Sequence, residues 1–103
     1  MKFSRSAAFL RDAARLPPEH YAMFREAVFK YFLPAIEQGA HTGRVPWPPR
    51  LRIHKLTDTH IYSLTWNFAS PDGRATFEFG AADDDEPFLI WRRIGDHSIY
   101  GRP

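Results

Sequence analysis

The sequence predicts an α+β fold in which a helical hairpin packs on one face of a mainly antiparallel four-stranded sheet. Three observations predict it. Helical apolar spacing is confined to the first forty residues, a proline-rich stretch at 43–50 follows, and period-two alternation begins only after that stretch. With 103 residues, 44% hydrophobic and 16% aromatic, the chain suits a single domain over 1–103 with a core of its own.

The first helical segment spans residues 4–15, with Ser4 or Ser6 as cap and Phe9, Leu10, Ala13 and Ala14 gathered on one side. Pro17 and Pro18 stop it. The same pair can open a second helix, with Glu19 in the first turn where the helix dipole favours an anion. Tyr21, Phe24, Val28, Tyr31 and Ala35 then recur at steps of three and four, and Pro34 is expected to kink or end the helix near Leu33. Pro46, Pro48 and Pro49 make residues 43–50 an extended crossover.

Four strands are expected, at 51–56, 61–68, 74–80 and 88–94. Tyr62, Leu64, Trp66 and Phe68 alternate with Ser63, Thr65 and Asn67, while Ala75, Phe77 and Phe79 alternate with Arg74, Thr76 and Glu78. Each of these strands therefore offers one apolar face to the helices and one polar face elsewhere. The last strand is apolar on both faces, with Phe88 and Ile90 opposing Leu89 and Trp91, which suits a central position. The connections are 57–60, the turn Ser70-Pro71-Asp72-Gly73, and the acidic run Asp83, Asp84, Asp85 and Glu86, where like charges favour a solvated loop.

Charge is unevenly spread. Residues 1–56 hold ten Lys/Arg against four Asp/Glu, whereas residues 57–103 hold four against eight, half of these in the acidic run. Without that run the surface suits a polyanionic partner. The absence of cysteine removes disulfides, thiol nucleophiles and thiolate metal sites. No apolar run reaches the roughly 18 residues of a membrane span, so no membrane association and a cytoplasmic location are expected. The glycines and histidines match no phosphate-loop or metal-ligand spacing, so neither cofactor nor metal is expected.

What remains is a set of cations, imidazoles and aromatics on the strands. Arg52 and His54 share one face of the first strand, Arg74 opens the third on its polar face, Arg92 and Arg93 close the fourth, and His97 follows. With Trp66, Trp91 and Tyr100 nearby, such a surface suits single-stranded RNA, arginines holding phosphates and aromatics stacking bases. Each residue also has a plainer role: arginines decorate solvated strand faces, Trp91 and Tyr100 pack at the core or its rim, and Glu78 forms a salt bridge. His20, His41 and His60 are expected in solvent.

The stretch Asp72-Gly73-Arg74-Ala75-Thr76-Phe77-Glu78-Phe79-Gly80, followed by Ile90-Trp91-Arg92-Arg93-Ile94-Gly95-Asp96-His97-Ser98-Ile99-Tyr100, resembles the C-terminal half of RelE/ParE-superfamily toxins of bacterial toxin-antitoxin pairs. Leu51-Arg52-Ile53-His54-Lys55-Leu56 with Ile61-Tyr62-Ser63-Leu64-Thr65-Trp66 resembles their preceding hairpin, and the helices match in order and length. The family usually opens with a strand, for which this chain has only Lys2 and Phe3 before the first helix. The resemblance implies a ribosome-dependent messenger RNA endonuclease, an mRNA interferase neutralised by a cognate antitoxin. Metal-independent cleavage of RNA needs a base for the 2′-hydroxyl, a cation for the phosphate and an acid for the leaving oxygen. By the resemblance, Arg74 contacts the scissile phosphate, His97 is an acid or base, and Tyr100 lies near the aromatic that ends the motif. His54 completes the candidate catalytic set, and Arg52, Lys55, Trp66, Arg92 and Arg93 are the candidate RNA contacts. Where the RelE branch places lysines, this chain has Ser63 and Thr65, so a lysine-based mechanism does not carry over. The alternatives are a ParE-like inhibitor of DNA gyrase, which needs no acid-base residues, and a noncatalytic homologue that only binds its antitoxin.

Overall fold

The computed structural model describes residues 2–67, 72–80 and 88–103. It is an α+β fold built on a mixed five-stranded sheet in the order β1-β5-β4-β3-β2. The strands are β1 (Lys2–Arg5), β2 (His54–Lys55), β3 (Tyr62–Asn67), β4 (Gly73–Gly80) and β5 (Phe88–Gly95), and the helices are α1 (Ala7–Arg15), α2 (Pro18–Ala27) and α3 (Leu33–Glu37).

Two expectations about the sheet are corrected. Five strands form rather than four, and the sheet is mixed because Lys2–Arg5 runs parallel to β5, Phe3 opposite Leu89. This short, mostly exposed strand is held by its backbone ladder rather than by an apolar pattern. It encloses β5 between two neighbours, the interior position that apolar residues on both faces imply. The strand expected at 51–56 shrinks to His54–Lys55: Pro49–Leu51 form a 3-10 turn and Arg52 follows with a φ of 47°. The Ser70-Pro71 part of the expected turn, Phe68 and the acidic run at 83–86 lie outside the described residues.

Ser6 caps α1, its Oγ accepting from the Phe9 N–H at 3.0 Å while its own hydroxyl donates to the Arg92 carbonyl at 2.7 Å. Of the two capping candidates, Ser4 is instead part of β1. The helices meet through the rings of Phe9 and Phe24, whose centroids are 5.8 Å apart, but α1 packs chiefly on β5 and α2 chiefly on β3. The helix does not end at Leu33. Between α2 and α3, residues Val28–Phe32 form a π-helical turn in which the Leu33 N–H reaches the Val28 carbonyl. A wider turn there spares the missing N–H and the ring of Pro34 a clash with the preceding turn. The extra residue also shifts the apolar phase: Phe32 is fully buried where regular spacing assigns Tyr31, and Tyr31 accepts from Arg50 Nη1 at 2.7 Å instead.

The core lies between the helices and one face of the sheet. Phe77 sits at its centre, with ring centroids 5.2 Å from Phe32, 5.4 Å from Trp91 and 5.5 Å from Tyr62. Phe9, Phe24, Leu64, Trp66, Ala75, Leu89 and Ile94 belong to it, with Ala27, Ile36 and Leu51. Among the described residues no helix is long and apolar enough to cross a membrane.

Candidate functional site

The other face of the sheet carries Ser63 and Thr65 from β3 and Arg74 and Thr76 from β4, and the register sets Ser63 opposite Thr76 and Thr65 opposite Arg74. Their alternation with the core residues dictates this placement. Ser63, Thr65 and Thr76 are nonetheless fully buried. Part of the cover is a 3-10 turn, His97–Gly101, which follows β5 and sets Tyr100 over this floor. Asp96 caps the turn, its Oδ1 accepting from the Ser98 N–H at 2.8 Å. Hydrogen bonds from Ser98, the hydroxyl first and the backbone N–H second, hold the Asp96 carboxyl below the usual carboxylate range.

Tyr100 is the hub. Its Oη shares a hydrogen bond of 2.5 Å with Ser63 Oγ and accepts from Arg74 Nη1 at 3.3 Å. The same Nη1 donates to Thr65 Oγ1 at 2.8 Å, and Arg74 Nη2 donates to Asp72 Oδ2 at 2.9 Å. The Arg74 side chain is only 13% exposed, so this web fixes the guanidinium. Around the Tyr100 ring stand two imidazoles, His97 at 4.7 Å and His54 at 6.5 Å between centroids, both edge-on. His54 Nδ1 donates to the Arg52 carbonyl at 2.9 Å, since a carbonyl can only accept. In the neutral ring this leaves Nε2 with its lone pair.

Thus Arg74, His54, His97 and Tyr100 come together on one surface, with Arg52 exposed two residues before His54, whereas Lys55, exposed too, stands opposite Tyr62 in the register and so belongs to the other face of the sheet. The remaining RNA-contact candidates do not join them. Trp66 belongs to the core on the opposite face, with Gly73 pressed against its ring, and Trp91 packs between Phe24, Phe32 and Phe77. The strand alternation that pairs Trp66 with Leu64 and Tyr62 already carries this signal.

Arg92 and Arg93 are bound to protein partners. Arg92 donates to Glu78 Oε1 at 3.1 Å and to the Pro103 carbonyl at 3.0 Å. Arg93 donates to both oxygens of Asp12, at 2.6 and 3.1 Å, and to the Arg102 carbonyl at 3.0 Å. Asp12 raises the Arg93 guanidinium above its ordinary range, first through this hydrogen bond. A bulge in β5 opposite Thr76 and Phe77 explains Asp12, which also accepts the Ile94 N–H at 3.2 Å and so fastens α1 to the sheet.

Glu78 makes the expected salt bridge to Arg92, and its other carboxylate oxygen lies 2.9 Å from His60 Nε2. Of the histidines expected in solvent, His60 is exposed, but His20 and His41 are half-buried against Trp66 and Phe79.

Sequence reasoning missed the buried floor of Ser63, Thr65 and Thr76, and with it Asp72. Among the described residues, no group of three or more His, Cys, Asp or Glu side chains is placed to hold a metal ion. No protein-family model matches the chain, and no curated protein matches it. The solution structure of the conserved hypothetical protein HP0894 from Helicobacter pylori is similar to this chain at 18% identity, over 95% of this chain and 96% of that one, with a TM-score of 0.41.

Proposed function

We propose that this protein is a metal-independent endoribonuclease that cuts messenger RNA on the ribosome and is held inactive by a cognate antitoxin. The observation that carries the reading is the convergence of Arg74, His54 and His97 around Tyr100 on the face of the sheet away from the helices. Gyrase binding gives no reason for two imidazoles beside a fixed arginine, so the ParE-like alternative lacks this support.

The reaction needs only groups present there. The ribose 2′-oxygen attacks the adjacent phosphorus, the bond from phosphorus to the 5′-oxygen breaks, and the products end in a 2′,3′-cyclic phosphate and a 5′-hydroxyl. His54 Nε2 takes the 2′-hydroxyl proton, because its Nδ1 is committed to the Arg52 carbonyl. His97, exposed and beside the Asp96 carboxylate, returns a proton to the leaving oxygen in its charged form. Arg74 stabilises the charge that grows on the phosphoryl oxygens, and Tyr100 keeps the arginine and both rings in register. Arg52 supplies phosphate contacts, and an acidic antitoxin segment that folds over this surface silences it.

The test is cleavage of a defined messenger on purified ribosomes, with the new ends mapped. His54→Ala and His97→Ala should each slow it by roughly 100- to 10,000-fold, the usual worth of a general acid or base. In the wild-type protein the pH profile should be bell-shaped, and each variant should lose one limb. Intact messenger alongside gyrase-linked DNA breaks would replace this reading with the gyrase one.

A further inference from the structure

The Arg74 fork is half filled. Nη1 is used twice, by Thr65 and by Tyr100. On the other side of the guanidinium, Nε and Nη2 form the edge that grips an oxyanion with two parallel hydrogen bonds. There Asp72 Oδ2 accepts from Nη2, while Nε is buried with no acceptor among the described residues. A buried donor without a partner is an unmade hydrogen bond that a second oxygen would complete. The carboxylate holding this edge is more exposed than the arginine it binds, with a side chain 37% exposed against 13% for Arg74. It is also only two residues from Arg74, where the chain enters β4.

We propose that Asp72 is a displaceable counter-anion for Arg74: it occupies the edge of the guanidinium that a phosphate would take, and an incoming phosphate must expel it to reach both Nη2 and the buried Nε. Asp72 is thereby a positioning residue that sets a threshold for anion entry. It neutralises the arginine while the site is empty and repels the phosphate as it arrives. Thr65 and Tyr100 keep Arg74 in place when Asp72 leaves, because both bonds are to Nη1. The inference rests on the nuclease reading for the identity of the phosphate as RNA, but anion exchange at Arg74 is measured without cleavage.

The experiment compares the full chain with Asp72→Asn, whose amide oxygen still accepts from Nη2 but carries no charge, and with Asp72→Glu, which keeps the charge. Inorganic phosphate is titrated while the Arg74 Nε–H resonance is followed by NMR. Binding of an uncleavable 2′-O-methyl RNA dodecamer is followed by fluorescence anisotropy. Asp72→Asn should bind both probes on the order of tenfold more tightly, as expected when a like charge is removed from contact distance. Asp72→Glu should stay near wild type. On programmed ribosomes Asp72→Asn should lower KM more than it changes kcat, a split that loss of a merely structural contact would not give. Equal or weaker binding of both probes by Asp72→Asn would overturn the proposal, as would an Nε–H resonance that phosphate leaves unmoved in both proteins. If the probes tighten but no messenger is cut, the exchange stands and the nuclease reading falls. If messenger is cut but the probes do not tighten, the reverse holds.

Discussion

The two faces of the sheet are both buried, but by different means. On the helix side, Phe77 and its neighbours interlock as rings, and burial itself is the driving force. On the other side, Ser63, Thr65 and Thr76 are as inaccessible as Phe77, yet they are polar and are covered in part by a five-residue turn. Burying hydroxyls gains little by itself and demands hydrogen bonds. Tyr100 and Arg74 supply most of them, and Thr76 Oγ1 and Arg74 Nε remain unsatisfied among the described residues. The first face explains why the protein folds. The second is organised around one guanidinium, an arrangement that stability alone does not call for.

The contrast can be broken most severely on the apolar side. Phe77→Ala should lower unfolding free energy by about 3–5 kcal/mol in chemical denaturation, since the ring is fully buried among four others. Arg74→Ala should act mainly on activity, slowing messenger cleavage by roughly 100-fold or more while circular dichroism remains native. Gly73→Ala tests how the faces are coupled. A Cβ there would stand 2.6 Å from the Trp66 ring, so overpacking should cost about 1–3 kcal/mol and disturb the adjoining Arg74 as well. A variant that loses stability but keeps full cleavage would show that the faces are independent.

A finer contrast lies within the polar floor, between register partners. Ser63→Ala removes a bonded hydroxyl and should cost about 1 kcal/mol, whereas Thr76→Val removes an unbonded one and should be neutral or slightly stabilising. Equal losses from both would mean that Thr76 is satisfied in solution. The smallest effect is expected at the rim. Asp96→Ala should cost about 0.5 kcal/mol, at the low end for a cap because the site is exposed. The Asp96 carboxyl titrates lower in the folded protein than in the unfolded chain, so its contribution is complete above the ordinary carboxylate value of 3.8 and fades as pH falls through the depressed folded value. Ring resonances of His97 and Tyr100 should report this loosening in acid, and should lose their acid dependence in the alanine variant.

Much of this was legible in the chain because it is local. Alternation at 62–67 and 74–79 identifies β3, β4 and their two faces, and the pairing of Arg74 with residues around 97–100 follows once β4 and β5 are neighbours. Trp66 was legible too, since the alternation that makes Tyr62 and Leu64 core residues places it with them and away from the face that carries Arg74. Other features have no local signature. Lys2–Arg5 shows no apolar rhythm and becomes a strand only because β5 offers it an edge. Asp12 looks like any polar helix residue until the bulge in β5 turns the Ile94 N–H toward it. The π-helical turn is hinted at by Pro34, but the resulting exchange of Tyr31 for Phe32 in the core depends on how the two halves of the helix settle on the sheet.

The parallel pairing of β1 with β5 also governs when the molecule can come into being. Phe3 lies opposite Leu89, so β1 finds its partner only after more than eighty further residues have been made. The same late segment supplies the interior of the sheet and, a few residues on, the Tyr100 hub. Contacts so distant in sequence slow folding, because loop closure precedes any reward from the ladder. Sheet and site are therefore completed together, once residues 88–101 have been made, and a nascent chain truncated before residue 88 holds the helices, Arg74 and His54 but not the structure that joins them.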